Sequence, residues 1–169
     1  AAKVIRRSSI GAQLISNSNP STDCLPAFAA TYLDPLYDEF EGALGVDGPT
    51  DLSGQQPAGI PELSTTTSAT YNFQFGSTLG YARVEHQYED EVQVVDNVPA
   101  SIASREINMI NASFGFNFEG GWELNFWGRN LTEDEFLQSA FPSVAQAGSF
   151  SGYPNTPRTY GATVKYNFE

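Results

Sequence analysis

Cysteine and histidine occur once each in this 169-residue chain, as Cys24 and His86. A lone cysteine cannot form a disulfide within the chain, make a thiolate zinc site or supply a disulfide framework. A Cys/His metal site or a Ser-His-Asp triad would have to be built around His86 alone. Cations are scarce too: 8 Lys and Arg face 20 Asp and Glu, for a net charge of -12. Such a chain is not expected to bind nucleic acid, since phosphate contacts need Lys and Arg, or to dock on an anionic membrane surface. No apolar run approaches the roughly 18 residues of a membrane-crossing helix. The opening "AAKVIRRSSIGAQL" lacks the continuous apolar stretch of a signal peptide. No convergent set of acid, base and nucleophile stands out, so no catalytic residue and no cofactor are expected, and the chain does not read as an enzyme.

What the chain has instead is alternation. Helical periodicity is weak, whereas period-two stretches recur. In "RTYGATVKYNFE" Tyr160, Ala162, Val164, Tyr166 and Phe168 share one strand face, and Thr159, Gly161, Thr163, Lys165 and Asn167 the other. The same reading puts Ile10, Ala12 and Leu14 together, then Phe28, Ala30 and Tyr32, then Ala69, Tyr71, Phe73 and Phe75. Further on it groups Ala82, Val84, His86 and Tyr88; Ile110, Ala112, Phe114, Phe116 and Phe118; and Trp122, Leu124 and Phe126. The opposite faces carry Asn, Gln, Ser, Thr, Arg and Glu, including Arg83, Glu85, Asn111, Ser113, Asn125, Trp127 and Arg129.

About seven strands result, and their connections alternate. Short turns near Pro20, Ser77 and Gly120 follow the first, third and fifth strands. Long irregular loops over 39–63, 96–104 and 138–157 follow the second, fourth and sixth. Hairpin stacking puts the short turns at one end and the loops at the other, as in a transmembrane β-barrel. Aromatics gather at the short-turn end of the apolar face (Phe73, Phe75, Phe116, Phe118, Trp122, Tyr166, Phe168), as in an interfacial girdle. Periodicity alone leaves a soluble β-sandwich open, although seven long strands must then pair or protect both edges. In a bilayer an open edge is worse still, so on the membrane reading the chain is not a complete barrel.

Several segments in order resemble the end of TonB-dependent outer-membrane receptors. "WELNFWGRNLTEDEF" is similar to a W-x-L-x-x-W-x-x-N-L-T-D-E-x-Y stretch in that family, and "YPNTPRTYGATVKYNFE" to its closing P-G-x-P-R-T-Y-G segment. "ATYLDPLYDEF" and "DLSGQQPAGIPELSTTTSATYNF" resemble its Y-L-D-A-x-Y, D-L-S-G and P-N-x-P stretches. Phe136 stands where the family has Tyr, "PAGIPE" departs from P-N-x-P, and Glu169 follows the aromatic on which the family usually ends. The resemblance implies that residues 1–169 supply about the last seven strands of a 22-stranded barrel in a bacterial outer membrane. The plug domain and the segment that engages TonB would lie outside this chain. Such receptors import scarce nutrients, siderophore-bound iron among them, with energy relayed by TonB. The implied partners are the rest of the barrel, the plug, the TonB complex, lipid, lipopolysaccharide and a small-molecule ligand. A passive porin-type or specific diffusion channel is the alternative, and a soluble β-rich binding domain the second. The final strand would run inward, putting the three long loops outside the cell and the short turns in the periplasm.

Five residues are candidates for touching ligand. Phe141, Phe150 and Tyr153 lie in a weakly charged outer loop, and loops displayed by a rigid scaffold carry function. Trp127 and Arg129 offer a stacking pair on the polar face, against packing on the plug or loops. Arg158 and Gly161 read as structural, the glycine relieving crowding and the arginine anchoring its strand. Arg83 and Glu85 should pair with neighbouring charges. His86 reads as an interfacial residue standing in for an aromatic. Acids crowd the loops, from Asp34 to Asp51, Glu89 to Asp96 and Glu133 to Glu135. They read as a solvated surface, because bridging Ca²⁺ needs six to eight converging oxygens and no EF-hand spacing is present. No metal site is therefore expected. Asn111-Ala112-Ser113 and Asn130-Leu131-Thr132 match the glycosylation sequon by chance.

Overall fold

A computed structural model describes residues 6–12, 23–37, 41–45, 48–51, 53–96 and 98–168. Among them the fold is all-β and antiparallel, with no helix. The predicted Leu14 position and the turn near Pro20 fall outside the described residues. The strands are β1 (Arg6–Ala12), β2 (Asp23–Asp34), β3 (Glu41–Gly45), β4 (Gly48–Asp51), β5 (Leu63–Phe75), β6 (Thr78–Gln93), β7 (Ser104–Asn117), β8 (Trp122–Arg129), β9 (Leu137–Pro142), β10 (Phe150–Pro154) and β11 (Thr159–Tyr166).

Seven of them form one sheet in the order β1-β2-β5-β6-β7-β8-β11. It is a simple meander, interrupted only where the small hairpins β3–β4 and β9–β10 are inserted. Two of the predicted irregular loops therefore contain structure. Their Gly, Pro and Ser content obscures the alternation, but four to six residues per strand suffice when the partner strand follows within a few residues.

The register explains why the faces stay pure. Phe114 lies opposite both Ala82 and Phe126, Ala112 opposite Val84 and Gly128, and Phe126 opposite Ala162. On the other face Arg83 lies opposite Thr70 and Ser113, and Asn125 opposite Gly115 and Thr163. A slip of one residue would exchange the faces. The β5–β6 turn is pinned by Gly76 at φ 62°, the left-handed backbone that a two-residue hairpin demands at this position. Bulky rings also lie across glycines directly opposite them: Phe73 on Gly80, Tyr81 on Gly115, Trp127 on Gly161. Each covers backbone that would otherwise be bare and locks its pair of strands.

The aromatics of the apolar face touch in succession. Phe73 meets Phe116 edge-on at 6.0 Å, Phe114 stacks on Phe126 at 4.8 Å, and Trp122 and Tyr166 lie 4.7 Å apart. Yet among the described residues this face has no second layer: β7 with β9 aside, contacts between strands run only between neighbours in a sheet. Phe114 is 47% exposed, Val164 63% and Phe168 88%.

The buried apolar nucleus sits elsewhere, at the long-loop end. Val94, Val98 and Ala103 from the β6–β7 connection enclose Ala140 of β9, with Val95 and Leu137 against them. Backbone bonds knit the loops around it. Gly59 N–H donates to Gln93 O at 2.8 Å, Tyr37 N–H to Gln55 O at 3.0 Å, and Val94 N–H to Ala103 O at 2.8 Å. Asp96 Oδ1 accepts from Ala58 N–H at 3.3 Å. Burial raises the pKa of the Tyr37 phenol, and the charge of Asp96 and its hydrogen bond raise it further. The neutral hydroxyl is thus held as a donor between two loops.

Candidate functional site

The polar face carries side chains joined in one small cluster and several separate pairs rather than scattered surface groups. Arg83 donates to Glu85 at 2.8 Å and to Thr70 Oγ1 at 3.3 Å, and Gln87 donates to the other Glu85 oxygen at 3.1 Å. The Tyr81 hydroxyl donates to Asn125 Oδ1 at 3.0 Å, and Arg105 reaches Glu89 at 3.1 Å. Lys165 lies 3.4 Å from Glu123. Arg83 and Glu85, expected to pair with neighbouring charges, pair with each other.

Among these groups lies a polar recess of about 320 Å³, lined in part by Glu85, Asn111, Ser113, Asn125, Trp127 and Arg129. Trp127 and Arg129 come together as anticipated, with the guanidinium 5.2 Å from the ring centroid. The indole is not free to stack on a ligand, however. Its six-membered ring rests on Gly161, where an added Cβ would overlap it, and Arg129 stands over it. Trp127 thus positions the arginine. Gly161→Ala should push the indole away and destabilise by about 1–3 kcal/mol, as overpacking does. Trp127 fluorescence should shift with it, and unchanged emission and stability would show that the ring has room.

The three aromatic candidates lie on the β9–β10 hairpin. Phe141 and Tyr153 share a face, with ring centroids 5.9 Å apart. Phe150 pairs with Pro142 and falls on the opposite face. The hairpin therefore presents an exposed Phe141–Tyr153 pair, and Phe150 does not join it. The sequence reading put all three in one irregular loop, where no strand alternation separates their faces.

Arg158 pairs with Glu133 and stands 5.8 Å over the Tyr160 ring, fixing the start of β11 as expected. His86 Nε2 lies 2.8 Å from Asn108 Oδ1 on the apolar face, a polar pair that the reading of His86 missed. Two buried asparagines were also missed. Asn130 holds the turn after β8 through Asp134 and Thr156, and Asn155 donates to Asp134 O at 2.7 Å while accepting from Phe136 N–H at 3.1 Å. Neither sequon asparagine is fully presented to solvent: Asn130 is buried, and Asn111 is half-buried with its carbonyl holding Asn130 N–H at 3.0 Å. Among the described residues no three His, Cys, Asp or Glu gather as a metal site. No protein-family model, curated protein or solved structure matches the chain.

Proposed function

We propose that this chain is the C-terminal part of the β-barrel of a TonB-dependent receptor in a bacterial outer membrane. The complete protein would bind a scarce nutrient such as siderophore-bound iron and import it with energy relayed by TonB. One observation carries the reading: a single-layer meander with an exposed aromatic face and a hydrogen-bonded polar face. In water the first face is a large unpaid exposure, and contiguous apolar patches of this kind mark membrane or partner contact. Against lipid it is matched, and the polar face suits a watery lumen. β5, β6 and β7 have 13, 16 and 14 residues, more than the roughly 9–11 that cross a bilayer at a tilt. Next to Phe114 and Tyr160 the apolar face also has a shallow groove of about 680 Å³ over Ala69, Ala82 and Ala112, a surface that acyl chains can fill. β1 and β11 end the sheet, where the remaining barrel strands would pair. The sequence resemblance supplies the TonB coupling and the 22-strand count.

Labelling tests the reading in the full-length receptor with Cys24 replaced. Cysteine at Ser149 should react with a membrane-impermeant maleimide on intact cells, and cysteine at Ser77 only after the outer membrane is opened. Equal labelling of both on intact cells would exclude a spanning sheet, and the reverse pattern would invert it. Uptake that survives a protonophore would assign a passive channel instead.

A further inference from the structure

We infer that the recess at Arg129 is an oxyanion site that takes the carboxylate of a small-molecule ligand. The inference starts from an inventory of cations. From Arg83 to Lys165 the chain has five cationic side chains, and four have a carboxylate partner: Arg83 with Glu85, Arg105 with Glu89, Arg158 with Glu133, Lys165 with Glu123. Arg129 is the exception among these five, with no carboxylate partner among the described residues, in a chain with 20 acids and 8 cations. Its guanidinium is exposed and stacked on Trp127, which orients the planar fork while leaving its N–H groups to donate. A fork held in this way matches a carboxylate in two parallel bonds.

The neighbouring groups complete a donor-rich wall. Asn111 Oδ1 is committed to a backbone N–H, which fixes the amide orientation and leaves its NH₂ as donor. Asn125 Oδ1 is committed to the Tyr81 hydroxyl, with the same result. Ser113 adds a hydroxyl. Glu85, the one acid in the recess, is already matched by Arg83 and Gln87. The local balance is therefore positive, although the chain as a whole carries -12. At about 320 Å³ the recess suits a small carboxylate or the acidic end of a larger ligand.

The proposal rests on the receptor reading only for where the recess faces, which would be the lumen. Its test is calorimetric titration of the intact receptor in detergent, which needs neither membrane nor TonB, so its failure and a failure of labelling are separable. Succinate is the probe and its dimethyl ester the uncharged control. Wild type should bind succinate and not the ester. R129Q should weaken binding roughly ten- to hundredfold, the loss expected for a charge-assisted pair. R129K, which keeps charge and loses the fork, should fall between. K165Q removes a cation from the same face outside the recess and should bind as wild type does. Absence of succinate binding by wild type, equal binding of the ester, or equal affinity in R129Q would overturn the assignment. Should R129Q fail to give a heat-modifiable band, R129K decides, and wild-type affinity there overturns it.

Discussion

Phe114→Arg should cost about 2–4 kcal/mol in a bilayer, the penalty for a cation on the lipid side of a barrel near its midplane. Phe114 sits midway along the aromatic run, stacked on Phe126 at 4.8 Å and edge-on to Phe116 at 6.2 Å. In water a half-exposed position like this would tolerate a charge, since surface substitutions usually stay within about 0.5 kcal/mol. The contrast between solvents is thus large where the packing is modest. Phe114→Leu separates the two effects, because it removes the ring stack without adding charge. The polar-face control is Thr163→Arg, an exposed position opposite Asn125. Asn111→Arg is a poor control, because the Asn111 carbonyl holds the buried Asn130 amide. Urea titration in bilayers should show Phe114→Arg well below Phe114→Leu, and Thr163→Arg close to wild type. Equal costs for the two arginines would overturn the assignment of the faces.

Period two was enough to read both faces of β5, β6, β7, β8 and β11. Long strands sample the alternation many times, and an antiparallel meander carries each face across without a slip. The hairpins were hidden for the opposite reason. β9 and β10 have 6 and 5 residues, including Pro142, Gly152 and Pro154, so turn chemistry masks their pairing. The bulge between Glu89 and Val92 was equally invisible, because an extra residue leaves no mark in composition. Trp127 and Arg129 could be placed on one face from spacing alone. That Gly161 props the indole, and that Arg129 has no carboxylate partner among the described residues while Arg105, Arg158 and Lys165 do, depends on neighbours from other strands and loops. Asn130 and Asn155 were illegible on the same ground: their partners converge from β7, the β8–β9 turn and the approach to β11.

Asn130 carries the second large effect. It is 3% exposed and sits at φ 50°, a backbone that Asn tolerates and β-carbon residues without a local hydrogen bond resist. Its side-chain NH₂ donates to Asp134 O at 2.8 Å and Thr156 O at 3.1 Å, and its Oδ1 accepts from Asp134 N–H at 2.9 Å. Alanine would keep the strained backbone and remove these three bonds, together with a longer one that Oδ1 accepts from the Thr132 hydroxyl at 3.4 Å. Asp134 O would retain Asn155, but Thr156 O and Asp134 N–H would lose a partner. The freed groups belong to half-buried Asp134 and exposed Thr156, so water offsets part of the roughly 1–3 kcal/mol per stranded group, and Asn130→Ala should lose about 2–3 kcal/mol in all. Asn130→Gly relieves the backbone without restoring the bonds and should recover about 1 kcal/mol of that loss. Asn130→Asp keeps the acceptor for Asp134 N–H but turns the donor into an oxygen facing two carbonyls. It should therefore be no better than alanine at neutral pH. Urea unfolding of the three variants in the intact receptor gives the order Gly, then Ala and Asp. An alanine variant within about 0.5 kcal/mol of wild type would mean that the turn from Asn130 to Phe136 is held by its ends alone, through the Arg158–Glu133 pair and the Asn155 bonds.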